Sequence, residues 1–124
     1  MKIKKSIAVL AGAVCAAVLL ISVPAQAVKN SIVITNESDW RIDQFFLASV
    51  GSYDWGPDQL GQYVIGSGET HTLRGIRCGT YHVKLVDDEG DACVIPNVDL
   101  CSGTEDWTIT QDYLLDCEEY TQGE

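Results

Sequence analysis

Short apolar runs separated by turn-forming residues characterise the chain after residue 27. The runs lie at residues 32–35, 40–48, 63–65, 69–73, 79–100 and 106–111, and Gly, Asn, Asp and Ser separate them. Alanine occurs only at Ala48 and Ala92, and no methionine remains, so strong helix formers are scarce while Val, Ile and aromatic residues are common. The pattern predicts an all-β fold, a small disulfide-bonded β-sandwich of about seven strands over residues 28–117, followed by an acidic mobile tail at 118–124.

Two of these runs carry more detail. Run 40–48 has apolar residues on both faces, with Phe46 on one and Phe45 on the other, which predicts a central strand. Run 79–100 is a hairpin, because apolar and polar residues alternate on either side of an acidic turn at 87–91. Its turn is predicted to be either a two-residue turn or a four-residue loop. Pro96 lacks an N–H, so the returning strand is expected to lie at an edge or to carry a bulge.

Four cysteines follow residue 27, an even number that predicts two disulfides in an oxidising compartment. Either hairpin register places Cys78 opposite or diagonal to Cys101, within bonding range. Cys93 lies roughly 20 Å or more along the strand from Cys78, at about 3.3 Å per residue. The favoured pairs are therefore Cys78–Cys101 and, by elimination, Cys93–Cys117. Spacings of 15, 8 and 16 residues without a C-x-x-C pair argue against zinc.

Residues 1–27 have the three parts of a secretory signal peptide. Three lysines precede an apolar stretch over 7–23, and Ala25-Gln26-Ala27 is a signal-peptidase pattern. Cleavage after Ala27 predicts a periplasmic or secreted protein with no membrane segment, and a retained anchor is the alternative. Three of the eight basic residues lie in 1–27, while all 18 acidic residues follow, so residues 28–124 carry a formal charge of −13. This charge disfavours nucleic acid and favours a cationic protein as partner.

Two segments are candidate sites. In the loop 49–61, Trp55, Asp54, Asp58 and Leu60 are predicted to form a recognition surface, although the same loop could instead cap one end of the sandwich. In the hairpin turn, the acidic residues offer oxygen ligands for calcium, with Asp54 or Asp58 bridging, and the ordinary alternative is a solvated turn. The sequence suggests no cofactor other than calcium. The calcium candidates are Asp87, Asp88, Glu89 and Asp91.

Nothing in the sequence singles out a catalytic site. His71 and His82 lie on predicted strands, and no nucleophile elbow, metal-binding His pair or glycine-rich phosphate loop accompanies them. The carboxylates are numerous, but no two of them stand out as an acid and base pair. We therefore expect structural histidines and a protein that is not an enzyme.

Several short motifs occur in a fixed order along about 70 residues. They are Ile34-x-Asn36-x-Ser38, Trp55-Gly56-x-Asp58-x-Leu60-Gly61, Cys78-x-x-Tyr81-x-Val83-x-Leu85, Asp88-x-Gly90 and Asp99-Leu100-Cys101. This set resembles a family of small exported bacterial proteins, many of which carry the label argininosuccinate lyase. Argininosuccinate lyases proper are far longer, helical and tetrameric, and none of their catalytic motifs is present, so no such activity is implied. The resemblance implies a compact exported β-domain with the Cys78–Cys101 pair.

These observations together predict an exported, non-catalytic binding or accessory protein. The first alternative is an inhibitor of a cationic exported enzyme, such as a lysozyme or a protease. A calcium-stabilised β-module is the next, and a small hydrolase is the last.

Overall fold

The computed structural model describes residues 29–52 and 54–123. The predicted signal peptide at 1–27 lies outside the described residues. Within them, six strands precede one helix: β1 (Lys29–Glu37), β2 (Ile42–Ser49), β3 (Thr70–Arg77), β4 (Gly79–Asp87), β5 (Ala92–Leu100), β6 (Thr104–Thr110) and α1 (Gln111–Gln122).

The strands form two three-stranded sheets. The first has the order β3-β1-β6, in which β1 runs antiparallel to β3 and parallel to β6. The second has the order β2-β4-β5 and is antiparallel throughout. The predicted all-β, disulfide-bonded fold is thus confirmed, with six strands among the described residues. The seventh predicted strand, at 63–65, contributes a single bridge between Ile65 and Ile42.

One apolar core lies between the two sheets. Ile32 and Ile34 of β1 are fully buried against Phe45 of β2 and Val83 of β4. The Phe45 ring also approaches Trp107 of β6, with 6.1 Å between centroids. Aromatic packing at this distance adds to the burial of apolar area that holds the layers together.

Strand β2 lies at a sheet edge, so the prediction of a central strand is wrong. The reason is that the loop after β2 folds back and covers its free edge. The Phe45 carbonyl accepts a hydrogen bond from the Gln59 N–H (2.7 Å), and the Phe45 N–H donates to Asp58 Oδ1 (2.9 Å). Phe46 on the other face packs against Trp55. A loop therefore supplies both the pairing and the apolar cover that a neighbouring strand normally gives.

The hairpin between β4 and β5 contains the bulge that Pro96 predicts, and β5 is also an edge strand. Near the turn Val86 faces Ala92, which corresponds to a three-residue loop and to neither of the two predicted turns. The register then shifts between Tyr81 and Val83, opposite Asn97, whose φ is 58°. Beyond this shift, Gly79 faces Leu100, as the two-residue-turn alternative predicts.

Both predicted disulfides are present. Cys78 is bonded to Cys101 with 4.5 Å between Cα atoms, where the β4–β5 hairpin begins and ends. Cys93 is bonded to Cys117 with 5.2 Å between Cα atoms, and this bond ties the start of β5 to α1. Two disulfides suggest an oxidising compartment outside the cytoplasm.

The predicted mobile tail at 118–124 is wrong for residues 118–122, because they complete helix α1. The helix begins after Thr110, whose hydroxyl accepts a hydrogen bond from the Tyr113 N–H (3.2 Å). Its inner face buries Leu114 and Glu118 and carries the disulfide at Cys117. A helix of 12 residues is marginal in water on its own, so contacts with the sandwich must hold it in place.

The Cys93–Cys117 bond is predicted to be required for α1. Replacing both cysteines by alanine should lower the free energy of unfolding by about 3 kcal/mol, because the bond closes a loop of sequence separation 24. It should also reduce the helical circular dichroism signal at temperatures where the sheets persist. The matched control replaces Cys78 and Cys101 by alanine, which opens a loop of separation 23. That variant should lose similar stability but keep the helical signal, and equal helix loss in both variants would contradict the prediction.

The bulge is predicted to depend on the left-handed backbone at Asn97. Asn97→Val should lower the free energy of unfolding by about 1–2 kcal/mol, because a β-branched side chain is strained at positive φ. Asn97→Gly, which adopts this conformation freely, should leave stability nearly unchanged. Urea denaturation of the two variants checks this, and equal destabilisation by both would show that the side chain, rather than the backbone, matters.

Candidate functional site

The Trp55 loop packs against the outer face of the β2-β4-β5 sheet. The Trp55 ring lies 6.5 Å from the Phe46 ring between centroids. Lys84 Nζ sits 4.9 Å from the centroid of each of these two rings. At this distance the ammonium group is attracted by both ring faces. The indole is therefore half-buried and already has a cation of the chain itself beside it.

The other residues predicted for this surface have structural contacts. Leu60 is only 2% exposed and belongs to the core, so its assignment to a recognition surface is corrected. Asp58 Oδ1 accepts hydrogen bonds from the Phe45 and Leu60 N–H groups and holds the loop on β2. Asp54 is exposed, and its Oδ1 accepts from the Gly56 N–H (3.0 Å). Of the four predicted residues, Asp54 is exposed, Trp55 and Asp58 are half-buried, and Leu60 is buried.

Three carboxylates meet where the β4–β5 turn touches the end of α1. Asp87, Asp91 and Glu118 each place a carboxylate oxygen within 4.8 Å of the others. Asp87 and Asp91 are two of the four calcium candidates, whereas Asp88 and Glu89 are exposed and lie outside this group. The group found among residues 29–52 and 54–123 also does not include Asp54 or Asp58, so the bridging role predicted for them is corrected.

Sequence reasoning missed Glu118, although a signal for it was available. The predicted Cys93–Cys117 bond brings the residues beside each cysteine together, and these include Asp91 and Glu118. The assignment of residues 118–124 to a mobile tail concealed this proximity. Once α1 forms, Gln122 Nε2 donates to Asp91 Oδ1 (3.0 Å) and the Val94 N–H donates to Thr121 Oγ1 (2.9 Å), which holds the helix against the turn.

Burial leaves part of this carboxylate group without hydrogen bonds. Asp87 is 3% exposed and Glu118 is 6% exposed, and Asp87 Oδ2 and Glu118 Oε2 have no hydrogen-bond partner. Burial raises the pKa of Glu118 to about 8, and contact with Asp87 and the negative charges of Asp91 and Glu89 add to the rise. The group is therefore stable only when a proton or a cation offsets its charge.

An apolar groove lies at the opening between the two sheets, beside the first turn of α1. A hollow of about 350 Å³ is bounded by the edge strands β5 and β6, through Ile95, Val98 and Trp107, and by Tyr113 of the helix. A second hollow, of about 330 Å³, shares Ile95 and Tyr113 and continues along Pro96. Tyr113 is 44% exposed, so the groove presents an aromatic side chain to solvent.

The charged residues of the elements that line this groove are all acidic. Strands β5 and β6 and helix α1 contain no Lys, Arg or His. Asp116 lines the second hollow, and Asp112 is exposed next to Tyr113. The seven carboxylates of these elements belong to Asp99, Glu105, Asp106, Asp112, Asp116, Glu118 and Glu119.

The two histidines have structural contacts. His82 Nδ1 accepts a hydrogen bond from the Asn97 N–H (3.2 Å), next to the β5 bulge. The His71 ring packs against Tyr63, with 5.9 Å between centroids.

Comparisons of the chain with protein-family models, curated proteins and solved structures give no match. The resemblance to the small exported family stays a prediction. Across residues 29–52 and 54–123, no helix has the length and apolar character needed to span a membrane.

The buried Glu118 predicts a stability that falls as pH rises. With a pKa of about 8 in the fold and an ordinary value of 4.5, the folded protein binds more protons than the unfolded chain between these limits. In the presence of a chelator, the melting temperature should therefore fall from about pH 5 to about pH 8. Glu118→Gln should flatten this dependence and be more stable than the unchanged protein at pH 8, whereas Glu119→Gln should keep the slope. A slope that is the same in Glu118→Gln would contradict the assignment.

Proposed function

We propose that this chain is an exported, non-catalytic binding protein whose ligand is a cationic segment of another protein. The observation that carries the proposal is the apolar groove between β5, β6 and α1, three elements that together carry seven carboxylates and no basic residue. Of these carboxylates, Asp116 lines the second hollow and Asp112 is exposed next to Tyr113. Such a surface suits a segment in which apolar side chains alternate with lysine or arginine.

The apolar part of the groove would supply the contact area. Ile95, Val98 and Trp107 pack only partly against the core and keep apolar surface facing the hollow. Tyr113 borders both hollows, and aromatic residues in such positions often dominate binding energy. Few backbone groups on the edge of β5 are free to pair with another strand, because Pro96 has no N–H and the Val94 N–H is hydrogen-bonded to Thr121. We therefore expect the partner to bind through side chains and not as an added strand.

The acidic part would supply attraction and orientation. A formal charge of −13 on residues 28–124 steers cationic partners at low ionic strength, and the carboxylates beside the groove concentrate that attraction there. Attraction of this kind is screened as salt rises, since the Debye length is about 8 Å at physiological ionic strength.

The groove suits a cationic ligand better than the Trp55 loop does. Lys84 lies beside the Trp55 and Phe46 rings, so a second cation there would meet a like charge. Leu60, which sequence reasoning placed at the same surface, is in the core. We therefore place the partner at Tyr113.

The test measures fluorescence anisotropy of a labelled short peptide that alternates Lys or Arg with Leu or Val. Binding to the purified protein should weaken about tenfold between about 20 mM and about 150 mM salt. Tyr113→Ala should weaken it about tenfold, because the aromatic wall of the groove is lost. Trp55→Ala should change affinity less than about twofold.

Two controls make the outcome decisive. A matched peptide with Glu in place of Lys and Arg should not bind. Circular dichroism should show that Tyr113→Ala and Trp55→Ala remain folded, since neither side chain belongs to the buried core. Salt-independent binding, or loss of binding in Trp55→Ala alone, would contradict the proposed surface.

Inhibition of a cationic exported enzyme is a more specific form of the same proposal. The negative charge that would attract a basic peptide would also attract a basic enzyme such as egg-white lysozyme. An assay of lysozyme activity in the presence of an excess of this protein distinguishes the two forms. Inhibition by the unchanged protein but not by Tyr113→Ala supports an inhibitor, and full lysozyme activity supports binding alone.

A further inference from the structure

The carboxylate group at Asp87, Asp91 and Glu118 has the composition of a cation site. Its members come from two elements far apart in sequence, the β4–β5 turn and α1, and their nearest oxygens lie within 4.8 Å of one another. Calcium–oxygen distances of about 2.4 Å place two ligands of one ion up to about 4.8 Å apart. A point between the three oxygens then lies at most about 2.8 Å from each, so small side-chain adjustments bring all three carboxylates to calcium-bonding distance.

Unpartnered oxygens point to a ligand at this position. Asp87 Oδ1 is already used, because it accepts hydrogen bonds from the Glu89 N–H (2.9 Å) and the Asp91 N–H (3.1 Å). Those bonds hold the carboxylate through Oδ1 and leave Oδ2 available to a ligand. Asp87 Oδ2 and Glu118 Oε2 are buried without a hydrogen-bond partner, and both residues are more than nine-tenths buried. A buried polar atom without a partner is costly unless something binds it.

No side chain of the described part of the chain offsets this charge. The salt bridge seen there joins Arg41 to Asp43, and it does not involve the three carboxylates. The contact from α1 to Asp91 is the neutral amide of Gln122. Three carboxylates with no cationic neighbour make the site electrostatically favourable for a divalent ion.

We propose that Asp87, Asp91 and Glu118 bind one calcium ion, which fastens α1 to the β4–β5 turn. The all-oxygen ligand set suits a hard cation and disfavours zinc or copper, which prefer nitrogen or sulfur. Three ligands on a half-exposed turn leave positions for water, as calcium tolerates and as its coordination number of six to eight requires. Magnesium demands a smaller octahedral cage and suits this set less well.

Bound calcium would form a second, reversible connection between α1 and the β4–β5 hairpin, in addition to the Cys93–Cys117 disulfide. The Cys93–Cys117 bond holds the middle of α1, whereas Glu118, Thr121 and Gln122 contact the hairpin through its last turns. An ion shared by Glu118 and Asp87 connects those turns to the end of β4. Calcium should therefore stabilise the helix end in particular.

The test uses purified protein expressed from the full chain, with both disulfides formed and with metals removed. Isothermal titration calorimetry with calcium chloride should show one ion per chain, and saturating calcium should raise the melting temperature by about 4 °C or more. Glu118→Gln and Asp87→Asn should each weaken calcium binding at least about tenfold. Asparagine keeps the oxygen that accepts the turn hydrogen bonds, so Asp87→Asn is expected to fold.

Glu119→Gln is the matched control, because it makes the same change in charge on an exposed neighbour in the same helix. It should bind calcium as the unchanged protein does. The proposal is overturned if no binding heat appears up to about 10 mM calcium, or if Glu119→Gln weakens calcium binding as much as Glu118→Gln does. It is also overturned if magnesium raises the melting temperature as much as calcium does, or if potassium chloride at the same ionic strength reproduces the thermal shift.

Discussion

The bulge in β5 is the constraint on which the remaining structure depends. In a regular strand with one buried face, every second residue points to the core. In β5 the inward residues are odd-numbered before Pro96 (Cys93 and Ile95) and even-numbered after it (Val98 and Leu100). The bulge adds one residue to β5 at Asn97, so the apolar residues on either side of it point to the same core. The same shift places Cys101 beside Cys78 while keeping Cys93 buried for its bond to Cys117.

Helix α1 follows from that arrangement. The chain leaves β6 at the opening between the sheets, and the bond to Cys93 holds the next 12 residues across the edge of β5. The helix creates two surfaces of different character. Its first turn forms a wall of the apolar groove through Tyr113, and its end completes the carboxylate group through Glu118. The proposed partner site uses Tyr113 near the start of α1, and the proposed calcium site uses Glu118, five residues further along the same short helix.

Loops also take the place of strands in this small domain. The segment after β2 pairs with its free edge through Gln59, Asp58 and Ile65, which makes an edge strand look central in sequence. Apolar residues on both faces of a strand indicate that both faces are covered, but they do not indicate whether a strand or a loop provides the cover. This is why run 40–48 predicted the correct element and the wrong position.

The sequence by itself determined the all-β class, the hairpin with its bulge near Pro96, and both disulfides, because strand periodicity and cysteine reach act over short, nearly fixed geometries. It also located Asp87 and Asp91 in an acidic turn. Only the tertiary structure decided that residues 111–122 form a helix, since so short a helix exists through its contacts rather than its composition. For the same reason, only the fold could bring Glu118 to Asp87, put Leu60 in the core and set Tyr113 opposite Trp107 across an open groove.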